Sequence, residues 1–92
     1  MSGSVRIQVL FFASAREAAG GLSTTTLELT TDEANTQSLR QKLASLYPKL
    51  ANMVQDEDNL TLALNEEYVT KGQVLPLRER DTVALIPPIS GG

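Results

Sequence analysis

The stretch Thr82-Val83-Ala84-Leu85-Ile86, followed by Pro87-Pro88-Ile89-Ser90-Gly91-Gly92, reads as a buried strand feeding a stiff spacer that ends in two residues without side chains. Gly makes up about 7% of average sequence, so a terminal pair arises by chance in about 0.5% of chains, and the diglycine is a signal. A terminal carboxylate, with a reference pKa of roughly 3.3–3.7, is ionised at neutral pH and is a poor electrophile. To react it must first be activated, for example as an acyl-adenylate, inside a partner enzyme that holds the reacting atoms in line. Glycines pass where any side chain would clash, although they lose the most conformational freedom when ordered. Pro87 and Pro88, with φ already fixed, offset part of that cost, which is roughly 1–2 kcal/mol for each ordered backbone residue. The competing interpretation is a frayed, inert terminus.

Upstream of this strand, Arg78-Glu79-Arg80-Asp81 is a charged turn, Val74-Leu75-Pro76-Leu77 a buried loop and Lys71-Gly72 a turn. Leu60-Thr61-Leu62-Ala63-Leu64 is the cleanest alternation in the chain, and Asn65-Glu66-Glu67 then turns into Tyr68-Val69, which predicts a hairpin with a short second arm. Gln55-Asp56-Glu57-Asp58-Asn59 is an acidic loop, a solvated connection rather than a binding surface. Leu39, Leu43, Leu46, Tyr47 and Leu50 recur at i, i+4, i+7, i+8 and i+11, the spacing of one helical face. Thr36 is the candidate cap of that helix, and Pro48 ends it near Leu46 or Tyr47. A further turn is expected from Lys49 to Val54. Val5-Arg6-Ile7-Gln8-Val9-Leu10 alternates until Leu10-Phe11-Phe12 becomes apolar on both faces, a first strand exposed at its start and central at its end. Ala13 to Ala19 is a short helical turn stopped by Gly20-Gly21, and Thr24-Thr25-Thr26-Leu27-Glu28-Leu29 is a second strand returning antiparallel to the first.

The order is strand, strand, helix, strand, short strand, strand. With the last strand returning beside the first, this is an α+β fold of the ubiquitin-like β-grasp kind, a mixed sheet of about five strands with one main helix across one face. The 92 residues form a single domain, with residues 1–4 flexible and residues 87–92 a flexible functional tail. If Val5, Ile7, Val9, Leu60, Leu62, Leu64, Val83 and Leu85 face the helix, then Leu10, Phe12, Ala63, Ala84 and Ile86 point the other way. No second helix is available to cover that apolar set, so it predicts a docking partner, unless Leu75 and Leu77 fold over it.

Composition narrows the chemistry. The chain has no cysteine, which excludes disulfides, thiolate nucleophiles and thiolate metal sites, and no histidine, the commonest general base and metal ligand. An independent enzyme is therefore not expected. Eight Lys and Arg stand against 11 Asp and Glu, a net charge of −3 with no basic run, so nucleic acid is not an expected partner. Met1-Ser2-Gly3-Ser4 leads straight into a strand, with no signal-peptide pattern or apolar span, and a cytosolic protein with no membrane association is expected.

Along nearly its whole length the chain resembles the family of molybdopterin synthase small subunits. The resemblance rests on Val9-Leu10-Phe11-Phe12-Ala13, Arg16-Glu17 and Gly20, on Leu64-Asn65 before Tyr68-Val69, and above all on Asp81 through Gly92 with its Pro-Pro, Ile, Ser and Gly-Gly ending. The family often carries an aromatic where this chain has Ile86, and apolar bulk is retained. What the resemblance implies is a sulfur carrier. An activating enzyme of the ubiquitin-E1 type would use ATP and magnesium to adenylate Gly92, and sulfur transfer would then make a thiocarboxylate. Pro87, Pro88, Ile89, Ser90 and Gly91 would form a tail inserted into the active site of the large synthase subunit. There, two carriers in succession would supply the dithiolene sulfurs that convert precursor Z, a cyclic pyranopterin monophosphate, into molybdopterin. The resemblance implies a heterotetramer of two small and two large subunits, with Ile86 helping to dock and no cofactor or metal held by this chain. The other readings are a ubiquitin-like modifier, a sulfur carrier for thiazole synthesis or tRNA thiolation, and a plain binding domain with an inert tail.

Overall fold

A computed structural model describes residues 3–55 and 60–87. Its elements run β1 (Ser4–Phe11), α1 (Ala13–Ala18), β2 (Thr24–Thr30), α2 (Thr36–Leu46), α3 (Ala51–Val54), β3 (Thr61–Leu64), β4 (Glu67–Tyr68) and β5 (Thr82–Ile86), with single 3-10 turns at Thr31–Glu33 and Pro48–Leu50. The strands form one sheet in the order β2-β1-β5-β3-β4. β1 and β5 lie parallel at its centre, with Val9 opposite Val83, and the other pairs are antiparallel. This is the β-grasp topology expected from the strand order.

The apolar alternation of the strands sets which face is covered. Ile7, Val9 and Phe11 of β1, Leu62 of β3 and Val83 and Leu85 of β5 are buried against Leu39 and Leu43 of α2, Leu50 and Val54. Each such side chain contributes roughly 1.5–3 kcal/mol on burial. Phe11 meets Tyr47 edge to face, ring centroids 5.6 Å apart, which fixes the end of α2 over the end of β1. Leu46 departs from the expected stripe and is 49% exposed. Pro48 ends the helix directly after it, and Leu50, carried inward by the 3-10 turn, fills the core instead.

Local chemistry explains the element ends. Asn35, not Thr36, caps α2, its side chain accepting a hydrogen bond from the Ser38 N–H at 2.8 Å. Thr36 is the first helical residue and almost wholly buried, and its hydroxyl accepts the Leu75 N–H at 3.0 Å. That bond draws the 74–77 loop onto the helix side, where Leu77 is buried and Leu75 half-buried, while Val74 stays exposed. The α1 stop is the expected glycine one: Gly20, at φ 80°, donates to the Glu17 carbonyl and Gly21 to that of Arg16.

Two boundaries differ from expectation. Ser4, expected to lie in the flexible start, opens β1, because β2 runs on to Thr30 and supplies its partner. Pro87, expected to begin the tail, is buried. Residues 88–92 lie outside the described residues, as do Met1, Ser2 and most of the acidic loop, 56–59.

Candidate functional site

The face of the sheet turned away from α2 is divided by residue type. Over β1 and β2 it is polar. Arg6 Nη2 donates to Glu28 Oε1 at 2.9 Å, and Gln8 bonds the Thr24 hydroxyl. The bond to Glu28, then the charges of Glu28 and Glu79, hold the Arg6 guanidinium above its ordinary pKa. Both partners of this pair are about 60% exposed, 62% and 58%, so it marks a wetted surface more than a source of stability.

Toward the end of β1 and across β5, β3 and β4 the same face turns apolar. The register places Leu10, Ala84, Ala63 and Tyr68 on one rung across four strands. Two alanines at the centre flanked by larger side chains leave a trough, and the next rung continues it with Ile86 beside Thr61. The result is an open groove of about 630 Å³ lined by Leu10, Phe12, Ala63, Ala84, Ile86 and, along its rim, Asn65, Glu66, Tyr68 and Thr82. Phe12 is 48% and Tyr68 74% exposed, an amount of aromatic surface that a partnerless domain seldom leaves wet.

All five residues expected to dock a partner are thus brought together in one depression. Leu75 and Leu77 do not cover it, since both pack on the opposite side with the core. Asn65, Glu66, Tyr68 and Thr82 were not among the sequence candidates. Tyr68 was accessible to the same alternation, because it faces Ala63 across the hairpin. The other rim residues depend on how the hairpin meets β5, which no periodicity encodes.

Hydrogen bonds brace the groove at the end remote from the tail. Asn65 donates from its side-chain amide to Asp81 Oδ1 and accepts the Thr82 N–H, each at 2.9 Å, while its backbone N–H donates to the Thr82 carbonyl at 2.8 Å. Asp81 Oδ2 accepts the Arg78 N–H at 2.8 Å. The charged turn before β5 is therefore tied to the β3–β4 hairpin. At the other end, the Phe12 N–H donates to the Leu85 carbonyl, so β1 and β5 stay paired up to where the tail leaves.

Among the described residues no three His, Cys, Asp or Glu side chains gather to hold a metal ion, and no helix is long and apolar enough to cross a membrane. The groove offers apolar contact and shape. Gly92, the residue expected to carry chemistry, and Pro88, Ile89, Ser90 and Gly91 of the expected tail lie outside the described residues.

A mixed sheet with a parallel central pair, one main helix on one face and an apolar groove on the other defines a ubiquitin-like β-grasp protein. Residues 9–92 match the ThiS family, and the chain belongs to that family. It is 39% identical to a molybdopterin synthase sulfur carrier subunit of Chlamydomonas reinhardtii over 96% of this chain and 100% of that one. With the protein of the same description from Arabidopsis thaliana it shares 40% identity over 99% of this chain and 88% of that one. Among solved structures it is similar to a candidate molybdopterin converting factor subunit 1 from Pyrococcus furiosus, with TM-score 0.75, 28% identity and coverage of 92% and 99%. SAMP1 from Haloferax volcanii gives TM-score 0.75 at 26% identity over 98% and 100% of the two chains. At 20% identity and TM-score 0.67, a chain in the complex of subunits 1 and 2 of molybdopterin-converting factor from Helicobacter pylori shares the fold over 96% of this chain and 100% of that one.

Proposed function

We propose that this chain is the sulfur carrier subunit of molybdopterin synthase in molybdenum cofactor biosynthesis. The observation that carries the reading is the likeness, along nearly the whole of both chains, to curated sulfur carrier subunits. It is supported by an apolar groove whose floor strand, β5, runs directly into the Pro-Pro, Ile-Ser and Gly-Gly ending.

In this reading the chain works in the cytosol and contributes a reactive end and a docking surface. Gly92 is activated by an E1-type enzyme that binds ATP and magnesium. Its carboxylate attacks the α-phosphate, pyrophosphate leaves, and a glycyl adenylate forms. Activation is required because a carboxylate at neutral pH is a poor electrophile. A sulfur donor at the sulfide oxidation level then displaces AMP, leaving sulfur in place of one oxygen. The thiocarboxylate is the stronger nucleophile and donates its sulfur to precursor Z, after which the carboxylate is restored. Two carriers act in succession on one pterin. With no histidine or cysteine of its own, the chain leaves acid–base work and phosphate binding to the large subunit.

Leu10, Phe12, Ala63, Ala84 and Ile86 dock on the large subunit, and residues beyond Pro87 enter its active site, in a heterotetramer of two small and two large subunits. Deleting Gly92 is expected to abolish pterin dithiolene formation in a reconstituted synthase while the melting temperature stays within about 1 °C, as for most chain ends. Normal product from the deletion variant would remove the carrier role. The likeness to SAMP1 favours a second reading, a protein modifier. Isopeptide conjugates between Gly92 and lysines of other proteins, with no pterin product, would establish it instead.

A further inference from the structure

The hairpin joining β3 to β4 contains a residue that does not suit it. Leu64 pairs with Glu67, leaving Asn65 and Glu66 as a two-residue loop with φ values of 50° and 74°. A loop of this length with both φ positive is the primed turn whose preferred sequence is Asn-Gly. Asn65 suits the first position, and its amide bonds to Asp81 and Thr82 hold it there. Glu66 occupies the position that favours glycine. A side chain at that φ crowds the backbone, and no hydrogen bond or ion pair to its carboxylate among the described residues offsets the strain.

The same residue lines the apolar groove and is the only charged one among its lining residues. A partner that seals the groove takes this charge partly out of water. An apolar or acidic partner surface at that point is disfavoured, and a basic one is favoured. A second copy of this chain would present another Glu66 and no cation from its own groove lining, so it fits poorly.

We propose that Glu66 is a specificity residue of the groove, its carboxylate pairing with a lysine or arginine of the protein that covers it. The inference rests on the docking reading above, in which that protein is the large synthase subunit. The partner surface is then an apolar ridge filling the trough over Ala63 and Ala84, flanked by a positive charge next to the β3–β4 turn.

The test measures the affinity of the large subunit for the full chain and for Glu66→Gly, Glu66→Gln and Ile86→Asp, at low and high salt, together with melting temperatures. Glu66→Gly relieves the backbone and is expected to melt higher by roughly 4 °C or more. It should nevertheless bind about 10-fold more weakly at low salt, and the deficit should shrink as salt screens the pair. Glu66→Gln keeps the strained backbone and should show the weaker binding without the gain in melting temperature. An unchanged or lower melting temperature for Glu66→Gly removes the strain that motivates the assignment. Wild-type affinity in both Glu66 variants, with Ile86→Asp still impaired, overturns the role of Glu66 and leaves the groove as the docking site. Wild-type affinity in Ile86→Asp as well overturns the docking reading itself. A wild-type chain that dimerises, and loses the dimer on Ile86→Asp, assigns the groove to a second copy and overturns the proposal.

Discussion

Ile86 ends β5 opposite Thr61, half-buried, with its side chain on the groove face while its neighbours Leu85 and Pro87 are buried. One residue of offset along a strand therefore separates core from groove. This makes Ile86→Asp a discriminating change. It is expected to weaken association with the large subunit by about 2 kcal/mol or more, roughly 30-fold, and to lower the melting temperature only slightly. Titration calorimetry and thermal denaturation of the same samples check it. A fall in stability as large as the fall in affinity would place Ile86 in the core. The caps of α2 show a subtler one-residue offset. Thr36 has the composition of a cap, yet Asn35 takes that role and frees the Thr36 hydroxyl to anchor Leu75. Both residue types favour helix starts, so propensity does not separate them. The hydrogen bond across 39 residues to the 74–77 loop does.

Strands and helices were more legible than single residues, because hydrophobic period survives small boundary errors. The alternations at Val5–Leu10 and Leu60–Leu64 assigned both faces of the sheet. Of the residues assigned to the groove face, all line the groove, and of those assigned to the core, Val5 and Leu64 are only half-buried. They lie toward the ends of β1 and β3. The helical stripe misled at Leu46. Spacing at i+7 from Leu39 placed it inward, but Pro48 stops α2 and the chain turns Leu50 into the space instead. The two leucines should therefore respond differently to truncation. Leu43→Ala, which leaves a cavity at a fully buried site, is expected to cost about 2–5 kcal/mol. Leu46→Ala, at a surface 49% exposed, should cost under about 1 kcal/mol. Denaturant titration of both variants measures the difference, and equal losses would contradict the burial pattern. The rim of the groove was illegible for another reason. Asn65, Glu66 and Thr82 reach it through a hairpin conformation and side-chain bonds that link distant parts of the chain.

At the scale of the domain, the strand that leads to the terminus is tied in from several directions. β5 is held on both sides, by β1 and by β3, and its base is tied to the hairpin through Asn65 and Asp81. The groove lies on the same strand, so under the proposed docking a partner seated there also fixes where the tail starts, and its active site is expected within a few residues' reach of the groove. At up to about 3.3–3.6 Å per extended residue, residues 88–92 can reach roughly 17 Å beyond Pro87. In the proposed carrier role, such a division of labour suits a chain without cysteine or histidine, which would contribute a placed functional group to the reaction.

The carrier chemistry is tested most directly by mass spectrometry of the protein after incubation with ATP, an E1-type activating enzyme and a sulfur donor, with the mass change localised by C-terminal fragmentation. Localisation is essential, because exchanging one oxygen for sulfur adds nearly the same mass as oxidising Met1 or Met53. The expected result is a gain confined to the fragment containing Gly91 and Gly92, absent without ATP. A terminal fragment of unchanged mass, from an activating enzyme that converts a control carrier in the same reaction, would contradict it.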